Sequence, residues 1–352
     1  MQIRIASAVL NDTRWHPLLD VVVDFVDGVD SRLSYDPRQI RELLSSPWLA
    51  GANGIRGTLP KLVQASFRAA SRGTPSTAVT VCIDDTAPKE GETSPGSIIR
   101  IHPLGCLSLL HRPFYLIVED EVTDGGFLLW MARLLGRDEI IRAYVSGRLA
   151  FRHAGGKGQI VKSASALSVG IWPRPGRTIL AMHLRSAVLL DSDAKFPGHT
   201  PNATIVAQAG PWVAFTHLLA ARTIENYVPQ KYFRRRMDRD GVAELSDNFF
   251  RLTEDQRAYF PIKKGFANSE QPPRPQTYVE FSNDPARPLG ERNHFHGVSA
   301  GVWAEIAKGF GERLSSVFTN NEYRCEPGDY SGLAIAHRIE LSNLISKLLQ
   351  FL

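Results

Sequence analysis

Two apolar runs that stop on carboxylates constrain this chain more than any other feature. One is Phe114 to Val118, followed by Glu119-Asp120; the other is Ala187 to Leu190, followed by Asp191-Ser192-Asp193. An uninterrupted apolar run of this length reads as a strand buried on both faces, as in a parallel sheet. In open α/β sheets, ligands sit beyond the carboxyl ends of the strands. Two such strands side by side would gather Glu119, Asp191 and Asp193 at one place. Carboxylates held there repel one another unless a cation neutralises them, and hard oxygen ligands suit Mg²⁺ or Mn²⁺.

The surrounding pattern supports a doubly wound α/β unit. Residues 127–135 form a strongly apolar helical stretch closed by Gly136, and 149–153 a short second strand ending at Gly155-Gly156-Lys157. Residues 159–169 read as a helix, with Pro173, Pro175 and Gly176 interrupting the chain before the strand that ends at Asp191. A fourth strand is expected at 204–207 and a helix at 212–224. Upstream, 39–44 and 59–70 look helical, and 78–83 and 98–102 look like strands, the first ending at Asp84-Asp85. Residues 270–290 are rich in proline and polar groups and read as a loop or lid. Residues 341–352 carry leucines at helical spacing and are expected to dock on the core, with a homodimer interface as the alternative.

Composition narrows the class. The 352 residues are 43% apolar, enough for a substantial core, and carry a net charge of +5. That mild basic excess is compatible with a polyanionic partner and common among enzymes. Cys82, Cys106 and Cys325 are odd in number and widely spaced, so they show neither a disulfide framework nor a zinc spacing. No apolar run approaches the roughly 18 residues of a membrane span, and the first residues lack a signal-peptide core. A cytoplasmic protein without membrane contact is the expectation.

Two families place acidic residues in this way. The string Leu116 to Glu121 resembles the opening of two-component receiver domains, but these need an acceptor aspartate forty to fifty residues later. No Asp lies between Asp138 and Asp191. The spacing of Glu119 and Asp191-Ser192-Asp193 instead resembles the Toprim domain. Further elements resemble the Toprim-like nucleases of the overcoming-lysogenisation-defect group and related phage-defence effectors. These are Gly155-Gly156-Lys157, Arg222-Thr223-Ile224-Glu225-Asn226-Tyr227, and Tyr259-Phe260-Pro261-Ile262-Lys263-Lys264-Gly265. The resemblance covers about residues 113–266, between an N-terminal α+β region (1–112) and a C-terminal loop and helical region (267–352). It implies a parallel sheet flanked by helices and a Mg²⁺- or Mn²⁺-dependent nuclease acting on DNA or RNA, controlled by a partner ATPase or sensor. Residues 1–112 and the final helix are the candidate docking surfaces.

By the resemblance, Glu119, Asp191 and Asp193 hold metal. Asp124 and Glu225 are further candidates, with pairing to Arg222 as the alternative for Glu225. Lys263 or Lys264 would stabilise charge on the scissile phosphate. This chain departs from the family's Glu-Gly turn: Asp120 stands in the glycine's place, and Asp124 follows Glu119 by five positions rather than four. That leaves the roles of Asp124 and Glu121 open.

Other features are less specific. Lys157 in its glycine turn could touch a phosphate or simply close a tight turn. Arg222 and the basic run Arg234, Arg235 and Arg236 are candidates for contact with a nucleic-acid backbone, with a solvated helix face as the alternative for the run. His294 and His296 lack a third zinc ligand at usable spacing. From a different class, the rival reading is a non-catalytic Toprim-like module that binds nucleic acid or a protein.

Overall fold

Both faces of the two apolar strands have to be covered, and the chain does so by winding in two directions. The computed structural model describes residues 2–26, 37–50, 79–94, 98–171, 180–268, 274–320 and 328–352. The helix expected at 59–70, the interruption at 173–176 and Cys325 lie outside the described residues. Strands β5 (Phe114–Val118), β6 (Leu149–His153), β7 (Ser186–Leu190) and β8 (Phe215–Leu218) form a parallel sheet in the order β6-β5-β7-β8. The chain goes outward from β5 to β6, then crosses back over β5 to β7 and on to β8. The winding therefore reverses between β5 and β7, the place where such sheets open a crevice for ligands.

Strand alternation distributes the apolar side chains to two layers. Leu116, Val118, Ala187 and Leu189 belong to the larger core with Phe127, Leu128 and Met131 of the helix Thr123–Leu134. Ile117, Val188 and Leu190 meet Ile160 and Ala164 of the helix Ile160–Val169, with Ala209 and Val213. Gly126 permits a close approach on the first face, because a Cβ there would stand 2.2 Å from the carbonyl oxygen of Phe318.

Another sheet, the first in chain order, precedes this one. Strands β1 (Gln2–Ile5), β2 (Thr80–Ile83), β3 (Glu92–Ser94) and β4 (Ile98–Ile101) run in the order β1-β2-β4-β3, with only β3 antiparallel. The two sheets share one large apolar cluster, in which Ile3, Val81 and Leu109 are continuous with Leu116 and Phe127. The C-terminal helix Ile335–Leu349 docks through Leu341, Leu344, Ile345 and Leu348. Beyond it, Phe351 stacks on Phe114 at 5.5 Å between ring centroids. No helix among the described residues is long and apolar enough to cross a membrane.

Three expectations are corrected. Residues 204–207 are not a strand but part of the helix Ala203–Ala209. The β-branched Ile205 and Val206 are partly buried with Ala209 and Val213, a helical stripe that a short apolar run does not reveal. Residues 212–224 are not a helix: β8 lies there, followed by a 3-10 turn at Ile224–Tyr227. The proline-rich stretch at 270–290 contains the helix Tyr278–Asn283 and the start of Leu289–His294. The first opens on a capping box formed by Thr277 and Glu280, a local signal that outweighs the polar composition.

Candidate metal centre at the ends of β5 and β7

Each acidic strand end is built by its own local chemistry. Asp120 does not face the site as a ligand; its side chain accepts hydrogen bonds from the amides of Val122 and Thr123 at 2.9 and 2.8 Å. This turn starts the helix Thr123–Leu134 and carries Asp124 back toward the strand, where its carboxylate accepts the Asp120 amide at 3.0 Å. The extra residue in the turn is thus absorbed by an aspartate-capped helix start. Glu121 is exposed.

After β7 the chain takes a constrained path. Ser192 points away and donates to the carbonyl of Ala221 at 2.7 Å. Asp193 has φ 51°, the only positive φ at a residue other than glycine among the described residues. A left-handed backbone costs such a residue on the order of 1 kcal/mol, and strain of this kind gathers at functional sites. The amide of Asp193 donates to the Arg222 carbonyl at 2.9 Å, which ties the two segments together. Asn202 clamps the turn by donating to the carbonyls of Asp191 and Ser192 at 2.7 and 3.2 Å and to the Asp193 carboxylate at 3.0 Å.

The electrostatics single out Asp191. Burial pushes its carboxyl well above the usual range, and the charges of Asp124 and Glu225 push it the same way, against the pull of Lys157. Its Oδ1 is buried with no hydrogen-bond partner. Asp124 is raised to about 6, first by burial and then by Glu119 and Asp120. Buried carboxylates short of counter-charge are what a cation would relieve.

Lys157 supplies part of that charge. Its ammonium bonds to Asp193 and lies 3.5 Å from Glu119, although burial alone would disfavour its charge. The loop that presents it uses Gly155 and Gly156 at φ 78° and 100°, a path open to glycine. The sequence could not choose between a phosphate contact and a tight turn; the structure places Lys157 between carboxylates. Among the described residues, no three acidic, imidazole or thiol side chains stand close enough together to hold a metal ion in this arrangement. The donor chemistry fits Mg²⁺ or Mn²⁺, while the position between Glu119 and Asp193 is taken by an ammonium.

Glu225 is near enough for its charge to act on Asp191. It is 2% exposed, accepts from Ser315 at 3.1 Å and pairs with Lys263 at 3.3 Å. It does not pair with Arg222; the helix that would have aligned the two is absent, and Arg222 lies 3.7 Å from Glu291. Lys263 also meets Glu312 at 3.4 Å, and these two acids raise its pKa against the opposing effect of burial. Lys264 is exposed. Asn226 and Tyr227 are structural: Asn226 caps Thr223, and Tyr227 donates to Glu340 of the C-terminal helix at 2.6 Å.

The basic run sits elsewhere, on the helix Gln230–Arg239. Arg234 pairs with Asp247, Arg235 makes two 2.7 Å bonds to the fully buried Asp329, and Arg236 reaches Asp240 at 3.2 Å. Asn202, Ser315, Glu312 and Glu291 were missed by sequence reasoning. Each lies in a segment with no motif, and only the fold brings it to its partners: Asn202 to Asp193, Ser315 to Glu225, Glu312 to Lys263 and Glu291 to Arg222. No protein-family model, curated protein or solved structure matches this chain.

Proposed function

We propose that the chain is a metal-dependent phosphodiesterase of Toprim type that cleaves DNA or RNA. The observation that carries this reading is the buried, unpartnered Oδ1 of Asp191 at the switch point of a parallel sheet, with Asp124 and Glu225 close enough to raise its pKa. Asp191 with Glu119, Asp124 and Asp193 would hold Mg²⁺ or Mn²⁺, with Glu225 behind them. Such an ion, when bound, polarises a phosphate oxygen and lowers the pKa of coordinated water. Lys263, positioned by Glu225 and Glu312, would present its ammonium where charge develops on the phosphate, and Lys264 stands beside it. Asn202 holds the Asp193 turn in place. Metal entry has to displace Lys157 from Glu119 and Asp193.

The ordered set of motifs extends the proposal to a cytoplasmic anti-phage effector governed by a separate ATPase or sensor, for which residues 1–112 and the C-terminal helix are candidate docking surfaces. Co-purification that yields the chain alone counts against that partner.

The position of Lys157 favours one rival, a non-catalytic binding module in which the lysine permanently neutralises the carboxylates. Purified protein incubated with Mn²⁺ and either plasmid DNA or single-stranded RNA separates the two. Metal-dependent cleavage that disappears in Asp191→Asn supports the enzyme. Equal cleavage by that variant overturns it, and nucleic-acid binding without any cleavage favours the module.

A further inference from the structure

Beside the carboxylates lies a cavity of about 780 Å³. Its walls include Arg222, Lys263, Lys264, Arg287 and Lys308, against a single carboxylate, that of Asp193. The volume falls in the range of about 300 to 1,000 Å³ typical of ligand sites. The floor comes from the segment 261–265 of the Toprim-like region, and Arg287 and Lys308 come from the C-terminal region.

The charges around it are unevenly matched: Lys263 has two carboxylates, Glu225 and Glu312, while the guanidinium side has fewer carboxylates than cations. Glu291, with no exposed surface, is the shared partner of Lys195 at 3.8 Å, Arg222 at 3.7 Å and Arg287 at 3.3 Å. Asp284 adds a second contact to Arg287 at 3.7 Å. Glu291 and Asp284 thus serve three cations, and Asp193, already bonded to Lys157, adds only a longer-range pull on Arg222. The Arg222 side chain is only 18% exposed, so water replaces little of the missing counter-charge. Lys308 has an exposed neighbour, Glu305, at 3.1 Å, a pairing of small energetic weight. Lys264 has no carboxylate within 4 Å among the described residues, although Glu312 feels its charge. Arg222 and Arg287 are held by protein partners, which leaves Lys264 and Lys308 on the cavity wall as the cations that suit an oxyanion, and a phosphate above all.

We infer that this cavity seats the sugar-phosphate backbone of a nucleic-acid strand next to the carboxylate centre, with Lys264 and Lys308 as its phosphate contacts and Arg222 and Arg287 as its fixed rear wall. Asp193 links the two places, since it lines the cavity and bonds to Lys157 among the carboxylates. The identity of the ligand rests on the phosphodiesterase reading; the anion site itself rests on the charge imbalance. Lys308 lies outside every motif that suggested a nuclease, so the assignment adds the C-terminal region to substrate binding.

The test measures binding without metal. Fluorescence anisotropy of a labelled single-stranded 12-mer in EDTA is followed from low to high salt for the full chain. Lys264→Glu and Lys308→Glu should each weaken binding about tenfold at low salt and lower the salt slope by about one. Lys89→Glu, an exposed reversal near the first sheet, should change neither and controls for net charge. Unchanged affinity and slope in both cavity variants, or equal losses in Lys89→Glu, overturn the inference. A mononucleotide that competes as tightly as the 12-mer also overturns it, by assigning the cavity to a free nucleotide. Mn²⁺-dependent cleavage is scored separately. Loss of binding in the cavity variants with no wild-type cleavage leaves the cavity standing and removes the enzyme; wild-type cleavage with unaltered binding in the variants does the reverse.

Discussion

The two sheets each contain a central parallel strand that ends on acids, and the ends behave in opposite ways. Strand β2 runs into Asp84, β7 into Asp191. Asp84 finds Arg100 on the adjacent strand, at 3.1 and 2.8 Å, together with Thr86 at 2.7 Å. Burial alone would raise its pKa, but these bonds hold it below the usual carboxylate range. Asp191 follows β7, whose pairing with β5 runs from Tyr115 opposite Ser186 to Ile117 opposite Val188 and includes no cationic side chain. Its carboxyl is raised. Arg100 stands opposite Cys82, two residues before Asp84, so the first sheet carries its own counter-ion. One acidic end is a finished structural contact. The other is left short of positive charge, as a binding site is.

The sharpest way to break this contrast is to remove each acid. Asp191→Asn should abolish metal-dependent cleavage, whereas Asp84→Asn should keep it; equal losses would erase the distinction. Stability should move in opposite directions in EDTA near pH 7.5. Asp191→Asn removes a buried charge that lacks compensation and should raise the melting temperature. Asp84→Asn breaks the pair with Arg100 and should lower the melting temperature.

Acid–base behaviour gives a second measure. Asp124 titrates at about 6 in the folded chain against an ordinary 3.8. The folded state therefore favours its proton, so its contribution to metal-free stability is most favourable below pH 3.8 and is lost as pH rises to about 6. Asp84 has the opposite sign: its lowered pKa stabilises the fold above pH 3.8, and that contribution is lost as pH falls through its folded value. Urea midpoints between pH 4 and 8 in EDTA should fall less steeply with rising pH in Asp124→Asn than in wild type. Identical slopes would place Asp124 outside the buried cluster.

Smaller effects are expected from the lysine and arginine positions. Lys157→Met should tighten Mn²⁺ binding by roughly tenfold in calorimetry, because an ammonium no longer competes for Glu119 and Asp193. Unchanged affinity would show that metal and lysine do not share the position. Arg235→Glu should lower the melting temperature, through repulsion of the buried Asp329, more than it alters the salt dependence of nucleic-acid binding. A change in salt slope without a change in stability would return the basic run to the binding surface.

Much of the second sheet was legible because buried parallel strands leave a continuous apolar signature at 114–118 and 187–190. The helices Thr123–Leu134 and Ile335–Leu349 were legible for a similar reason, a long apolar face. The stretch 203–224 was not. Its helix carries β-branched residues and its strand is only four residues long, so local preference pointed the wrong way in both. The turn from Asp120 to Asp124 could be located but not interpreted, since an aspartate can bind metal or cap a helix. Hydrogen-bond geometry assigns Asp120 to the cap and turns Asp124 inward.

By itself the sequence determined that two strands would end on acids and that an α/β sheet would hold them, because burial on both faces is written residue by residue. Which acid is neutralised is decided only by the tertiary structure. Charge balance depends on groups distant in the chain: Arg100 for Asp84, Lys157 for Asp193, Lys263 and Ser315 for Glu225. Electrostatic energy depends on distance and burial in space, and neither follows from spacing along the chain.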